Sequence, residues 1–272
     1  MARRRKRHVQ QELLTKDGTR VKSRKGGKRP GAGRPPKGER AGAPHRKRPA
    51  IKASEPVHVV LRVLSIVGML RNRHIYKAVR GATLVVARRE AMRIVHISIQ
   101  HNHVHLLVEA DNKDALARGM QSLQISAAKR INRTLGRKLR TKRRGTVFAD
   151  RYFAEVISSP RQARHALAYV LNNWRKHRED DGAITSNWHV DPYSSGAMFA
   201  GWTREPDFVA WDDHEPLIVW EPRSWLLREG WRRHGLIDWR EVPKDGGARS
   251  RARTRVTTQS RAKTPPQIVL EG

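Results

Sequence analysis

The 272-residue sequence has no cysteine. That excludes disulfides and thiolate metal sites, and leaves histidines, carboxylates and amides as the available metal ligands. Such a chain fits a reducing cytoplasm. Acidic residues are scarce, 25 against 57 Lys and Arg, which gives a formal charge of 57 − 25 = +32. An imbalance of this size implies a polyanionic partner, nucleic acid before membrane. No apolar run approaches the roughly 18 residues that span a bilayer. The Arg-rich start MARRRKRH also lacks the apolar stretch of a signal peptide. The expectation is a cytoplasmic, nucleoid-associated protein with no membrane partner. Hydrophobic residues make up only 38%, too few for a chain that folds throughout, so part of it is expected to be disordered.

Residues 1–55 hold 19 Lys or Arg against 4 acidic residues, with many Gly and Pro. That composition cannot bury enough surface to offset the entropy of ordering, so we read 1–55 as a disordered basic tail. Within it, Arg29-Pro30 and Gly33-Arg34-Pro35 resemble arms that lie in an A·T minor groove, although a solvated linker is the plainer account. From Pro56 onward the pattern changes. Val57, Val59, Leu61 and Val63 alternate as a strand does, and Ile75, Val79, Ala82 and Val86 recur at helical spacing between about Asn72 and Met92. Val95, Ile97 and Ile99 alternate with polar residues, and after the link His101-Asn102 a second run puts Val104, Leu106 and Val108 on one face, which predicts a hairpin. Asp114 as cap and Gly136 as stop bound a helix striped by Leu116, Met120, Leu123 and Ala127. A basic loop, Arg137 to Arg144, leads to a fourth strand over 147–157. Ser159 before Pro160 then starts a helix that runs to about His177.

The order strand, helix, strand, strand, helix, strand predicts an α+β, ferredoxin-like βαββαβ antiparallel sheet with one face open and one further helix added. The domain is placed at 56–177. Residues 178–243 carry seven of the eight Trp and a short helix between Ser224 and Gly235, and form an extension expected to pack on the domain. From 244 to 272 basic and Ser/Thr-rich residues return, a second disordered tail.

His103 and His105 stand two apart on a predicted strand, so both imidazoles leave the same face and one metal ion could take both. Two outward polar histidines would give the same pattern, and the strand alone does not decide. The last predicted helix adds weight. Ala163, Ala166, Leu167, Val170, Leu171 and Trp174 form its apolar stripe, and Tyr169 and Asn173 sit off it, one turn apart. An amide at Asn173 would complete a His-His-Asn site for Mg²⁺ or Mn²⁺, with the Tyr169 hydroxyl within a turn of it.

The segment IQHNHVHLLVEA, followed about sixty residues later by ARHALAYVLNNW, resembles the HUH transposases with a single catalytic tyrosine, and more narrowly the REP-associated tyrosine transposases. The likeness spans about Pro56 to His177 and includes RGTVFADRYF before the last helix and DPYSSGAMFAGW after it. On those motifs His103 and His105 match the paired histidines, Tyr169 the nucleophile and Asn173 the amide ligand. Two departures stand out: no proline follows Asn173, and Phe148-Ala149 replaces a usual Trp-Gln. The resemblance implies metal-dependent nicking and joining of single-stranded or hairpin DNA through a 5′-phosphotyrosine. Lys129, Arg130, Lys138, Arg140, Lys142, Arg143, Arg144 and Arg151 would track the DNA backbone. A monomer and a homodimer are both compatible with it. Tyr152 is the competing nucleophile, although its strand position suits packing or DNA contact better. The main alternative is a non-catalytic DNA- or RNA-binding protein on the same scaffold. A two-histidine phosphoesterase would need a second His-x-Ser/Thr pair beside His96-x-Ser98. Asp212, Asp213, His214 and Glu215 read as an exposed acidic loop before a metal site.

Overall fold

The computed structural model describes residues 50–243, apart from 88, 89, 183 and 184. The tails expected at either end, with the Arg-Pro motifs of the first, lie outside these residues. Residues 50–55 are the exception, and there Ile51 is already buried against the core.

Strand β1 (Val57–Arg62) is followed by α1 (Arg73–Ala87), β2 (Met92–Ile99), β3 (His103–Ala110), α2 (Lys113–Lys138), β4 (Phe153–Val156) and α3 (Pro160–Lys176). The strands lie in the order β2-β3-β1-β4 with antiparallel neighbours throughout, which is the predicted ferredoxin-like α+β arrangement. Val57, Val59 and Leu61 alternate onto the face covered by α1 and α2, where they join Ile97, Val104, Leu106, Leu116, Met120 and Leu123 in the larger core. The register pairs His58 with Leu107, Val60 with His105 and Arg62 with His103. Paired residues share a face, so these lie together on the other side. That face is not open, as the bare βαββαβ pattern would leave it. Helix α3 lies across it, and Leu107 and Val95 pack with Leu167, Val170, Leu171 and Trp231 in a second core. A bulge between Ile94 and His96 makes this possible. The extra residue breaks the expected alternation of Val95 with Ile97 and turns Val95 toward α3.

Three boundaries differ from the sequence reading. Helix α2 is capped by Asn112, whose Oδ1 accepts from the backbone N–H of Asp114 and Ala115 at 3.0 and 2.9 Å. Asp114 instead stands in the first turn, where its charge suits the helix dipole. Gly136 does not stop the helix, which runs on to Lys138. A Cβ at Gly136 would lie 2.6 Å from the carbonyl oxygen of Thr141, so glycine there admits the returning loop. The fourth strand is split. Phe148 bridges to Val63 and Phe153 pairs with Val60, so the index sum rises from 63 + 148 = 211 to 60 + 153 = 213. Two extra residues are absorbed between the two pairings, and the regular ladder is only Phe153–Val156.

Helix α3 begins as its sequence predicts. The Ser159 hydroxyl accepts from the Gln162 N–H at 3.3 Å, Pro160 occupies the first turn, and the Gln162 side chain accepts in return from the Ser158 N–H at 2.9 Å. The segment 191–220 then covers the free edge of β2: Ile99 N–H donates to Tyr193, Ser195 N–H to Ile97 and Trp220 N–H to Ile94. Paired in this way, the edge offers no template to another chain. Arg71 and Asp191 form a buried bidentate pair at 2.8 and 3.1 Å. Further on, α4 (Trp225–Arg228), capped by the Ser224 hydroxyl, and the 3₁₀ turn Gly230–His234 place Leu226, Leu227 and Trp231 against α3. Arg164 clasps Glu241 at 2.8 and 2.7 Å on the same helix. Among the described residues no helix is long and apolar enough to cross a membrane.

Candidate active site

His103 opens β3 and His105 follows on the same face, their ring centroids 4.6 Å apart and nearly perpendicular. Helix α3 crosses above them. The Tyr169 ring meets the His105 ring edge-on at 5.2 Å, and His177, at the end of the helix, meets His103 at 5.4 Å. These two contacts bracket Asn173, one turn beyond Tyr169 and fully buried. The four residues singled out from the sequence therefore converge between one strand and one helix, although they lie up to 70 positions apart. Tyr152 is elsewhere, buried in the core on the α1/α2 side.

Polar atoms inside a protein are expected to be hydrogen-bonded, and leaving one unsatisfied costs about 1–3 kcal/mol. Among the described residues, His105 Nε2 and both amide atoms of Asn173 are buried without a hydrogen-bond partner. Two of these atoms, the His105 Nε2 lone pair and the Asn173 amide oxygen, are of the kind a cation would use, and His103 beside His105 would add a third ligand. No group of three His, Asp or Glu in the described residues converges closely enough to hold a metal ion. The third ligand here would have to be the amide.

Electrostatics favour neutral imidazoles. Desolvation, then the nearby charges of His177, Arg62 and His101, pushes His103 down to about 4. His105 is held well below 6.5, first by burial and then by His58, His103, His177 and Lys176. At neutral pH both rings keep a lone pair for a cation.

Sequence reading missed three neighbours. His58 on β1 places Nε2 3.0 Å from His105 Nδ1 and lies edge-on to Tyr169 at 5.7 Å; burial pushes it down to about 4. Asn102 Oδ1 lies 2.8 Å from His103 Nδ1. The Lys176 ammonium sits 5.0 Å from the centre of the Tyr169 ring. The available signal was the strand order: once β1 is placed beside β3, the polar alternate positions of β1 must face the histidine pair.

The basic residues divide into two groups. Lys129 and Arg130 are exposed on α2, which packs on the sheet face opposite the histidines. The Arg130 guanidinium also lies over Gly81 of α1. Lys138 closes α2, and the loop after it, carrying Arg140, Lys142, Arg143 and Arg144, ends at Val147, whose carbonyl accepts from Leu64 N–H, while Val63 N–H donates to Asn102. That loop, and Arg151 just after Ala149, therefore stand at the end of the sheet where His103 stands. Arg143 is turned onto the Asn132 side chain, and the other five, Lys138, Arg140, Lys142, Arg144 and Arg151, are exposed. In the acidic loop, Asp213 pairs with Lys77, and Glu215 with Arg80 at 2.5 Å, so both fasten the loop to α1. His96 is buried against Phe199, its Nδ1 3.2 Å from the Ser195 hydroxyl.

Comparison with curated proteins gives no match. Among solved structures, a REP-associated tyrosine transposase bound to a REP hairpin is 18% identical, covering 65% of this chain and 99% of that one with a TM-score of 0.43. A candidate transposase from Deinococcus radiodurans is 13% identical over 52% and 98%, at 0.31. A bacterial histidine-tRNA guanylyltransferase-like protein in complex with GTP is 15% identical over 51% and 67%, at 0.32. Likenesses this distant carry no weight beside the match of residues 53–173 to the family profile described as "Transposase IS200 like", a stretch that begins ahead of β1 and ends on Asn173. Over those residues, 121 of the 272, the chain is similar to the IS200-like transposase family.

Proposed function

We propose that this protein is a metal-dependent single-strand DNA endonuclease and strand transferase, with Tyr169 as nucleophile and His103, His105 and Asn173 as metal ligands. The observation that carries the reading is the pair of residues with unsatisfied buried polar atoms, His105 (Nε2) and Asn173 (the amide), the first of them edge-on to the Tyr169 ring at 5.2 Å. A DNA-binding protein with no chemistry to perform would gain stability by filling or bonding these atoms. A divalent cation held there, Mg²⁺ or Mn²⁺, would neutralise charge on a non-bridging oxygen of the scissile phosphate.

The Tyr169 oxygen attacks phosphorus in line. The new bond is Tyr169 Oη–P and the broken one is P–O3′, so the product is a 5′-phosphotyrosine and a free 3′-OH that takes up the proton the tyrosine gives up. The phosphodiester energy is kept in the protein–DNA bond. Attack by a different 3′-OH reverses the step and joins new ends without a nucleotide cofactor. The Lys176 ammonium, 5.0 Å from the centre of the Tyr169 ring, adds positive charge for the incoming phosphate. The exposed cations Lys138, Arg140, Lys142, Arg144 and Arg151 flank His103's end of the sheet and guide a single-stranded or hairpin DNA backbone. Lys129 and Arg130, on the far face, would contribute only at longer range.

The test is a denaturing gel for a covalent protein–DNA adduct, using labelled single strands from either side of the gene with Mg²⁺ or Mn²⁺. Wild type forms the adduct, and Tyr169→Phe and His103→Ala do not. Wild-type protein that binds the strands but leaves no adduct with any flank or metal would instead point to a binding protein on this scaffold.

A further inference from the structure

We propose that His58, on β1, is a positioning residue of the metal site: it accepts a hydrogen bond from Nδ1–H of His105 and so fixes the tautomer that leaves Nε2 bare for the cation. This rests on His105 being a metal ligand. Two imidazole nitrogens 3.0 Å apart need one hydrogen and one lone pair between them. If His58 donates, the His105 hydrogen sits on Nε2, a buried atom with no acceptor among the described residues, and that atom cannot bind a cation. If His58 accepts, His105 Nε2 carries a lone pair, buried and without a hydrogen-bond partner among the described residues, that a cation can take.

The geometry of the pair supports a fixed arrangement. The rings are stacked at 5.2 Å with only 22° between their planes, and Tyr169 closes against both, edge-on at 5.7 and 5.2 Å. His58 is held by a strand paired on both sides, with β3 and with β4, so it orients His105 from rigid backbone. His103 has the equivalent device in its own neighbour, since its Nδ1 faces Asn102 Oδ1 at 2.8 Å, an atom that can only accept. Each of the paired histidines thus has Nδ1 engaged, and Nε2 of His105 has no hydrogen-bond partner among the described residues. Groups that hold the second nitrogen of a liganding histidine set its tautomer and raise its basicity, and removing one costs on the order of 10–100-fold in metal affinity.

Mn²⁺ binding to the metal-free full chain, followed by electron paramagnetic resonance of the free ion, reads this directly. His58→Leu should weaken Mn²⁺ binding about 10–100-fold. His58→Gln, whose side-chain oxygen can accept from Nδ1–H, should recover most of that loss. Histidine ¹⁵N spectra of the metal-free wild type should show His105 protonated on Nδ1, a result that needs no variant to fold. Protonation on Nε2, or His58→Leu binding Mn²⁺ like wild type while His103→Ala does not, overturns the role of His58 and leaves the metal site standing. If His103→Ala also binds like wild type, the metal site itself is wrong and the role of His58 falls with it.

Discussion

Replacing Asp191 by alanine tests how the segment after α3 is tied to the site. Asp191 has no exposed side-chain surface and Arg71 has 5%, and the two are bridged by a bidentate pair at 2.8 and 3.1 Å. Removing one partner of a buried ion pair costs about 3–5 kcal/mol, because the other charge stays buried without compensation. Glu179 lies 3.4 Å from Arg71 Nε and offsets part of the loss, so we expect about 3 kcal/mol. With a urea slope of about 2 kcal/mol/M for a domain of this size, the midpoint should fall by roughly 1.5 M. Replacing both partners, Arg71→Met with Asp191→Leu, should be milder than Asp191→Ala alone, since no charge is stranded. Arg71 also donates to the Ile99 carbonyl at 3.1 Å, and Leu70 N–H donates to His101 at 2.8 Å. The same contacts therefore hold the turn that leads into His103, and the folded variant should bind Mn²⁺ more weakly. A midpoint shift under about 0.5 M, corresponding to less than 1 kcal/mol on the same slope, would refute the argument that this pair anchors the segment.

Acid should destabilise the protein through His96, which burial pushes down to about 4. Its folded value lies below the unfolded 6.5, so protonation favours unfolding. Stability from this group is complete above pH 6.5 and is lost as pH falls from 6.5 toward 4, by about 3 kcal/mol at 1.36 kcal/mol per unit. Urea melts at pH 7 and pH 5 should show about 2 kcal/mol of that loss, from the roughly 1.5 units between 6.5 and 5, and it should shrink in His96→Phe. Among glycines, a Cβ at Gly119 would meet Met92 Sδ at 2.2 Å and Cβ at 3.1 Å in the core, whereas one at Gly81 meets only the Arg130 guanidinium, at 2.5 Å. Thermal melts should therefore show Gly119→Ala destabilised by about 1–3 kcal/mol, and Gly81→Ala neutral or stabilised by up to about 1 kcal/mol; equal effects would contradict the packing described. Asn173→Leu, which removes two unsatisfied buried atoms, should raise the melting temperature of the metal-free protein while abolishing the DNA adduct; a lower melting temperature would mean the amide is structural.

The fold was legible because its signals are local. The period-2 runs of β1 and β3, the Ser159-Pro160 start and the apolar stripe of α3 each set an element without reference to the others. The residues of the candidate site could be picked out by pattern too, since His103 and His105 share a strand face and Tyr169 and Asn173 lie one turn apart. What failed depended on distant contacts. The Val95 bulge follows from the apolar face of α3, Gly136 lies within α2 because of the loop around Thr141, and His58 becomes a neighbour of His105 only when β1 pairs with β3. The basic residues could not be sorted from composition, because only the layering puts Lys129 and Arg130 on the far side of the sheet from Tyr169.

The most direct measurement is tandem mass spectrometry of the covalent adduct after nuclease digestion. The proposed chemistry predicts a phosphodeoxynucleotide on Tyr169, in the tryptic peptide ending at Arg175. The same modification on Tyr152, or on any residue outside α3, would contradict it.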